Sequence, residues 1–149
     1  MDKKQELQNA LTTAMKARDE DTKRTVRLVL SSIKLAEVEA GGELDEPRIL
    51  AILQKEVKTR EDTIEEAKTA NRDDLVRQAE KEIAILNRFL PQQMNEDELR
   101  SLAKEVIEET GASSMRDMGQ VMKNLIPKLE GRASGQEASK VVRDLLQKS

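Results

Sequence analysis

A chain of 149 residues whose only aromatic side chain is Phe89 has few ways to build a core. Leu, Ile, Val, Ala and Met must fill it. That supply suits helix packed on helix and argues against a sheet, whose strands favour β-branched and aromatic residues. Six glycines and three prolines leave little for long structured loops. The expected fold class is all-α, with an N-terminal four-helix unit followed by a small C-terminal three-helix bundle.

Helical periodicity and end signals place the elements. Leu7, Leu11, Ala14 and Met15 mark a first helix that ends near Arg18. Asp19–Asp21 offer caps for a second, lined by Val26, Val29, Leu30, Ile33 and Ala36 and stopped by Gly41-Gly42. Asp45 starts a third with Pro47 in its first turn. Ile49, Leu50, Leu53, Val57 and Ile64 face inward there, and a charged set including Lys58, Arg60 and Glu61 is expected to cover the outside. The apolar stripe thins after Val57, so the far end is expected to project beyond the core. Past Asn71, a fourth helix carries Leu75, Ala79, Ile83, Leu86 and Leu90 and stops at Pro91. The polar stretch after that proline is the expected boundary, giving domains 1–91 and 92–149.

In the second part, Asn95 with Glu98 opens a fifth helix closed by Gly111, and Ser114 with Asp117 opens a sixth. Met115, Met118, Met122, Leu125, Ile126 and Leu129 form its expected buried face. Gly119 inside that helix suggests close approach of a neighbouring helix, and Pro127 is expected to kink or end it. After the GRASG loop, Ser134 with Glu137 caps a seventh helix, lined by Ala138, Val141, Val142, Leu145 and Leu146.

Several chemistries are excluded by composition. There is no cysteine and no histidine, so thiolate nucleophiles, imidazole bases, disulfides and Cys/His zinc sites are out of reach. Ser31-Ser32 and Ser113-Ser114 lack the glycine-rich setting of a serine amidase, and Ser114 serves as a cap. Glu61, Asp62, Glu65 and Glu66 alternate with Lys58, Arg60 and Lys68, the pattern of a solvated face with i,i+4 pairs. No catalytic residue, metal site or cofactor is expected. The N-terminus shows no apolar signal segment and no apolar run approaches the roughly 20 residues of a membrane span, so a soluble, cytoplasmic protein is expected, without membrane contact.

The net charge of −3 is unevenly spread. Residues 91–114 carry two bases and six acids (2 − 6 = −4), whereas 115–149 carry seven bases and four acids (7 − 4 = +3). The basic end contains the candidate RNA-binding residues Lys123, Lys128, Arg132, Lys140 and Arg143. Gly131, Ser134 and Gly135 form a candidate phosphate-binding loop, where N–H groups at a helix start stand beside Arg132. A tight, well-capped interhelical turn is the alternative reading of that loop.

The stretches ILQKEVKTREDTIEEAKTANRDDL, EKEIAILNRFLPQQMNEDEL and GASSMRDMGQVMKNLIPKLEGRASG resemble the YqeY-like family. The resemblance runs from Arg27 to Leu146, with Ala67, Asn71 and Phe89 departing from the usual residues. That family is related to the tail of GatB, the B subunit of glutamyl/aspartyl-tRNA amidotransferase. The resemblance implies an all-helical protein in two parts with a tRNA-gripping role, carried here by Lys123, Lys128, Arg132, Lys140 and Arg143. It also implies a family label of carbon–nitrogen ligase with glutamine as amido donor, an activity that needs a nucleophile and an ATP site not found in this sequence.

The leading expectation is a non-catalytic tRNA-binding accessory module for tRNA-dependent amidation or glutaminyl-tRNA formation. It would read shape and phosphates, because the chain has no aromatic platforms for bases. Its expected partners are tRNA and an aminoacyl-tRNA synthetase or amidotransferase, and the expected state is a monomer. The alternatives are a subunit or homologue of a glutamine-dependent ligase, and a helical protein–protein interaction module.

Overall fold

Most helices in this chain begin where a short polar side chain can accept from the orphan N–H groups of a first turn. In the computed structural model, which describes residues 2–147, Asp2 caps α1 (Lys3–Ala17) by accepting from the Gln5 N–H at 2.8 Å. Asp19 caps α2 (Glu20–Ala40) through Thr22, and Asp45 caps α3 (Glu46–Thr69) through Arg48. Asn71, at φ 56°, turns the chain in the left-handed region ahead of α4 (Asp73–Asn87), which has no side-chain cap. Asn95 caps α5 (Glu96–Thr110), accepting from Glu98 at 2.8 Å. A 3₁₀ turn, Met115–Asp117, leads into α6 (Met118–Leu129), and α7 is Gly135–Gln147. Among the described residues the chain is all-α, with no strand.

Two compact units result, Met1–Pro91 with α1 to α4 and Gln92–Ser149 with α5 to α7. In the first, Leu7, Val26, Val29, Ile33, Leu53, Leu86 and Phe89 belong to one buried cluster. α1 and α2 run antiparallel, joined at one end by Lys4 and Glu37 (2.9 Å) and at the other by Arg27 against the Met15 sulfur. Glu37 also accepts from the Leu44 N–H at 3.2 Å. Lys4 and that N–H together hold its carboxyl below the ordinary glutamate value.

The far end of α3 does not project. It packs along α4, so Ala67, Val76 and Ala79 are buried and Arg60 is only 8 % exposed. The Arg60 guanidinium donates to Glu56 at 2.6 Å and to Glu82 at 2.8 Å, and Gln78 links Glu82 to Asp21 of α2. The sequence expectation placed Arg60 outside because its partner Glu82 lies 22 positions away, on another helix. Leu75 is also turned outward, and α4 buries Val76 in its place.

The second unit buries Leu99, Val106, Val121, Leu125, Leu129, Ala138, Val142 and Leu146 among others. Here the inner face of α6 is rotated from the expected one: Val121 is buried, while Met115 and Ile126 are exposed. Pro127 sits inside α6, which continues to Leu129. Proline lacks an N–H, so the Lys123 carbonyl loses its usual donor, and that position is exposed to water. Gly119 meets no neighbouring helix: a Cβ built there finds nothing within 4 Å. No helix among the described residues is long and apolar enough to cross a membrane.

Two stability outcomes follow from this packing. Arg60→Ala leaves two carboxylates half-buried without their cation and is expected to cost about 3–5 kcal/mol. Gly119→Ala removes backbone freedom from the unfolded chain without a clash and is expected to add about 0.5–1 kcal/mol. Urea denaturation followed by circular dichroism measures both.

Candidate nucleic-acid interface

The segment between α6 and α7 is a closed turn, built by reversing the chain with two left-handed residues. Glu130 (φ 50°) ends α6 and Gly131 (φ 75°) continues the reversal. Arg132 then donates its N–H to the Leu129 carbonyl at 2.8 Å, and Ala133 is buried. The Ser134 hydroxyl accepts from the Glu137 N–H at 3.0 Å and donates to the Glu137 carboxylate at 3.1 Å. This is the cap expected for α7 from the Ser134/Glu137 spacing.

Arg132 ties this turn to the entry of α5. Its Nε donates to the Gln92 carbonyl at 2.9 Å and its Nη2 to Glu98 at 3.0 Å, while its own carbonyl accepts from Met94 N–H at 2.7 Å. Gln93 adds a fourth link, donating its side-chain amide to the Gly131 carbonyl at 3.0 Å. Sequence reading singled out Arg132 by its charge and loop position. The polar QQMN stretch that receives it looked like a linker, and only the fold brings residues 40 positions apart together.

The phosphate-loop reading is weakened at two atoms. The Glu137 carboxylate stands at the start of α7, where an anion would sit, and Gly131 offers a carbonyl already engaged by Gln93. Gly135 is exposed and has open space for a Cβ, so close backbone approach does not account for the glycine.

The five candidate cations divide into two groups. Lys128 pairs with Glu109 at 2.8 Å and Arg132 with Glu98. Both line a groove of about 650 Å³ that also holds Asp97, Glu98, Glu105 and Glu130, a surface that repels a polyanion. Lys123, Lys140 and Arg143 are exposed and form no ion pair among the described residues. Lys140 and Arg143 stand one turn apart on the outer face of α7, and Lys123 lies on the outer face of α6. Lys140 also borders a shallow cleft of about 280 Å³ with Glu96, Leu99 and Glu137. Arg100 bridges α5 to Asp144 of α7 at 3.0 Å, fixing the helix that carries these cations. Among the described residues there is no group of three or more acidic side chains that could hold a metal ion.

The fold and this surface describe an all-helical protein whose C-terminal unit displays exposed cations without ion pairs among the described residues on each of its three helices, Lys104 on α5 being the third case. The sequence model described as Yqey-like protein matches residues 4–146, and the chain belongs to the YqeY-like family. Similar curated proteins include "Altered inheritance of mitochondria protein 41, mitochondrial" of Lachancea thermotolerans, 41% identical over 87 residues (58% of this chain, 46% of that protein). The protein of the same name in Pyrenophora tritici-repentis is 26% identical over 143 residues, covering 94% of this chain and 78% of that one. Its namesake in Saccharomyces cerevisiae is 34% identical over 87 residues, 58% of this chain and 47% of that protein. The chain thus spans about half the length of the Lachancea and Saccharomyces relatives it matches. These names correct the expectation of a cytoplasmic protein, since each relative is named as mitochondrial. That expectation rested on the lack of an apolar signal segment, which has no bearing on mitochondrial import.

Asp117 closes the entry of α6, accepting from the N–H groups of Ser113 (2.9 Å) and Ser114 (3.3 Å). Those two donors, Ser113 first, hold its carboxyl below the ordinary aspartate value. A depressed carboxyl stabilises the fold above its unfolded-state value and ceases to do so as pH falls through its folded one. Asp117→Ala is therefore expected to lower the melting temperature at neutral pH. The gap to wild type should narrow once pH drops below about 4. Thermal unfolding across pH 2–7, taken as roughly the range over which carboxylates titrate, measures that gap.

Proposed function

We propose that this chain is a non-catalytic tRNA-binding accessory module serving tRNA-dependent amidation or glutaminyl-tRNA formation, with its contact on the outer faces of α6 and α7. The observation that carries the reading is the exposure of Lys123, Lys140 and Arg143 without carboxylate partners among the described residues. Arg116, seven positions before Lys123, is likewise exposed and adds a fourth cation near that surface. Cations already paired with carboxylates gain little from a phosphate, since one ion pair is exchanged for another. Unpaired ones release condensed counterions and gain the full contact. With a single aromatic residue, itself buried, the chain reads phosphate spacing and helix shape and has no platform for stacked bases. Lacking histidine and cysteine, it contributes binding while the chemistry occurs on its partner.

Arg132 has a different part in this reading. It shapes the turn that sets α6 against α7, so Arg132→Glu perturbs the unit itself and is a poor probe of RNA contact. The informative variant is Lys140→Glu/Arg143→Glu, with labelled tRNA titrated by fluorescence anisotropy at several salt concentrations. Wild type is expected to bind saturably, and the double variant to bind about tenfold or more weaker with a salt slope shallower by about two phosphate contacts. Absence of wild-type binding at low salt, or an unchanged slope in the variant, overturns the assignment.

A further inference from the structure

The second helix carries two apolar stripes, and the fold covers one. Val26, Val29 and Ile33 are buried against the first unit's core. On the opposite side Leu28 (50 % exposed), Leu35 (62 %) and Val38 (72 %) recur at helical spacing and stay largely open to solvent. Seven large apolar side chains are exposed among the described residues, and these three share one face of one helix. At 3.6 residues per turn, Arg24, Ser31, Ser32 and Glu39 lie on the same stripe. Scattered exposed leucines need no explanation, whereas a continuous stripe on a long helix marks a surface that associates.

The stripe is complementary to itself in one orientation. When α2 is laid antiparallel on a second α2, with the two-fold axis between Ser31 and Ser32, Leu28 faces Leu35 of the second copy. Arg24 then faces Glu39 of the second copy, and each pairing occurs twice. Serine at the crossing point lets the two backbones approach closely. A parallel arrangement would set Arg24 on Arg24 and Glu39 on Glu39, which repel. Arg24 is also held by Asp21 at 2.9 Å yet remains largely exposed, and Glu39 is exposed with no ion pair among the described residues. Arg27 and Lys34 stand at the margin of the stripe, in solvent, and keep the contact modest.

The geometry points to a second copy of this chain as the occupant: α2 pairs antiparallel with α2 across a two-fold axis at Ser31/Ser32. The protein is then a weak homodimer, in place of the monomer expected from its sequence. A single helix pair lies at the small end of specific interfaces, so association appears at high protein concentration. The inference concerns α2 alone and stands or falls separately from RNA binding by α6 and α7.

A chain without cysteine gives a clean test. Sedimentation equilibrium over a roughly hundredfold concentration range should show reversible dimerisation of the full chain. Leu35→Glu, at an exposed position, should abolish it with an unchanged circular dichroism spectrum. Arg24→Glu should weaken association about tenfold, and Arg24→Glu/Glu39→Arg should restore it. In parallel, Ser31→Cys should be joined to itself by a short bis-maleimide, whereas Gln136→Cys on α7 should not. A chain that stays monomeric throughout overturns the proposal. So does a dimer indifferent to Leu35→Glu, or equal cross-linking at both cysteines.

Discussion

The scarcity of rings governs this structure. A core filled by Leu, Ile, Val and Ala has no large plate to span a gap between elements, so each helix must bring an unbroken aliphatic stripe into direct contact with its neighbours. Phe89, the one exception, is spent inside the first unit's cluster. Helices held by aliphatic contact alone can slide and rotate on one another at little cost. Polar links fix their register here: Arg60 between Glu56 and Glu82, Lys4 on Glu37, Arg100 on Asp144, and Arg132 across to Gln92 and Glu98. Each joins groups on different helices or turns, and each places a cation against carboxylates or carbonyls in charge-assisted hydrogen bonds.

What could be read from the sequence was local. Caps at Asp19, Asp45, Asn95 and Ser134, and stops at Gly41 and Gly111, depend on a few adjacent residues and were visible as short patterns. The all-α class followed from composition. The errors came where a residue's environment is set by another element. Arg60 looked like one more solvated charge because Glu82 is remote. Leu75 and Val76 are neighbours of similar apolarity, and only the angle of α4 on α3 decides which is inside. Ile126 beside Leu125 poses the same problem on α6. Gly119 was assigned a packing reason that the structure does not supply, and nothing around it explains the residue.

The candidate site shows the same division. Charge asymmetry pointed to the C-terminal end, and that end does hold exposed cations. Sequence could not separate cations that are available from those already engaged, since Lys128 meets a carboxylate 19 positions back and Arg132 one 34 positions back. Arg132, the residue with the most suggestive setting, proves to be a strut, and the quieter Lys140 and Arg143 are left facing water.

Carboxylates held by hydrogen-bond donors bear on how such a protein can be controlled. Asp19, Glu37 and Asp117 are all pushed below their ordinary values by the groups that donate to them, further from neutrality than free side chains. Neither histidine nor cysteine is present to titrate near neutrality. No side-chain type in this sequence has an ordinary value between about pH 6 and 9. A pH response built on histidine or cysteine is therefore not open to this chain, and the associations proposed for it are expected to respond to ionic strength, to competing polyanions and to the amount of protein present.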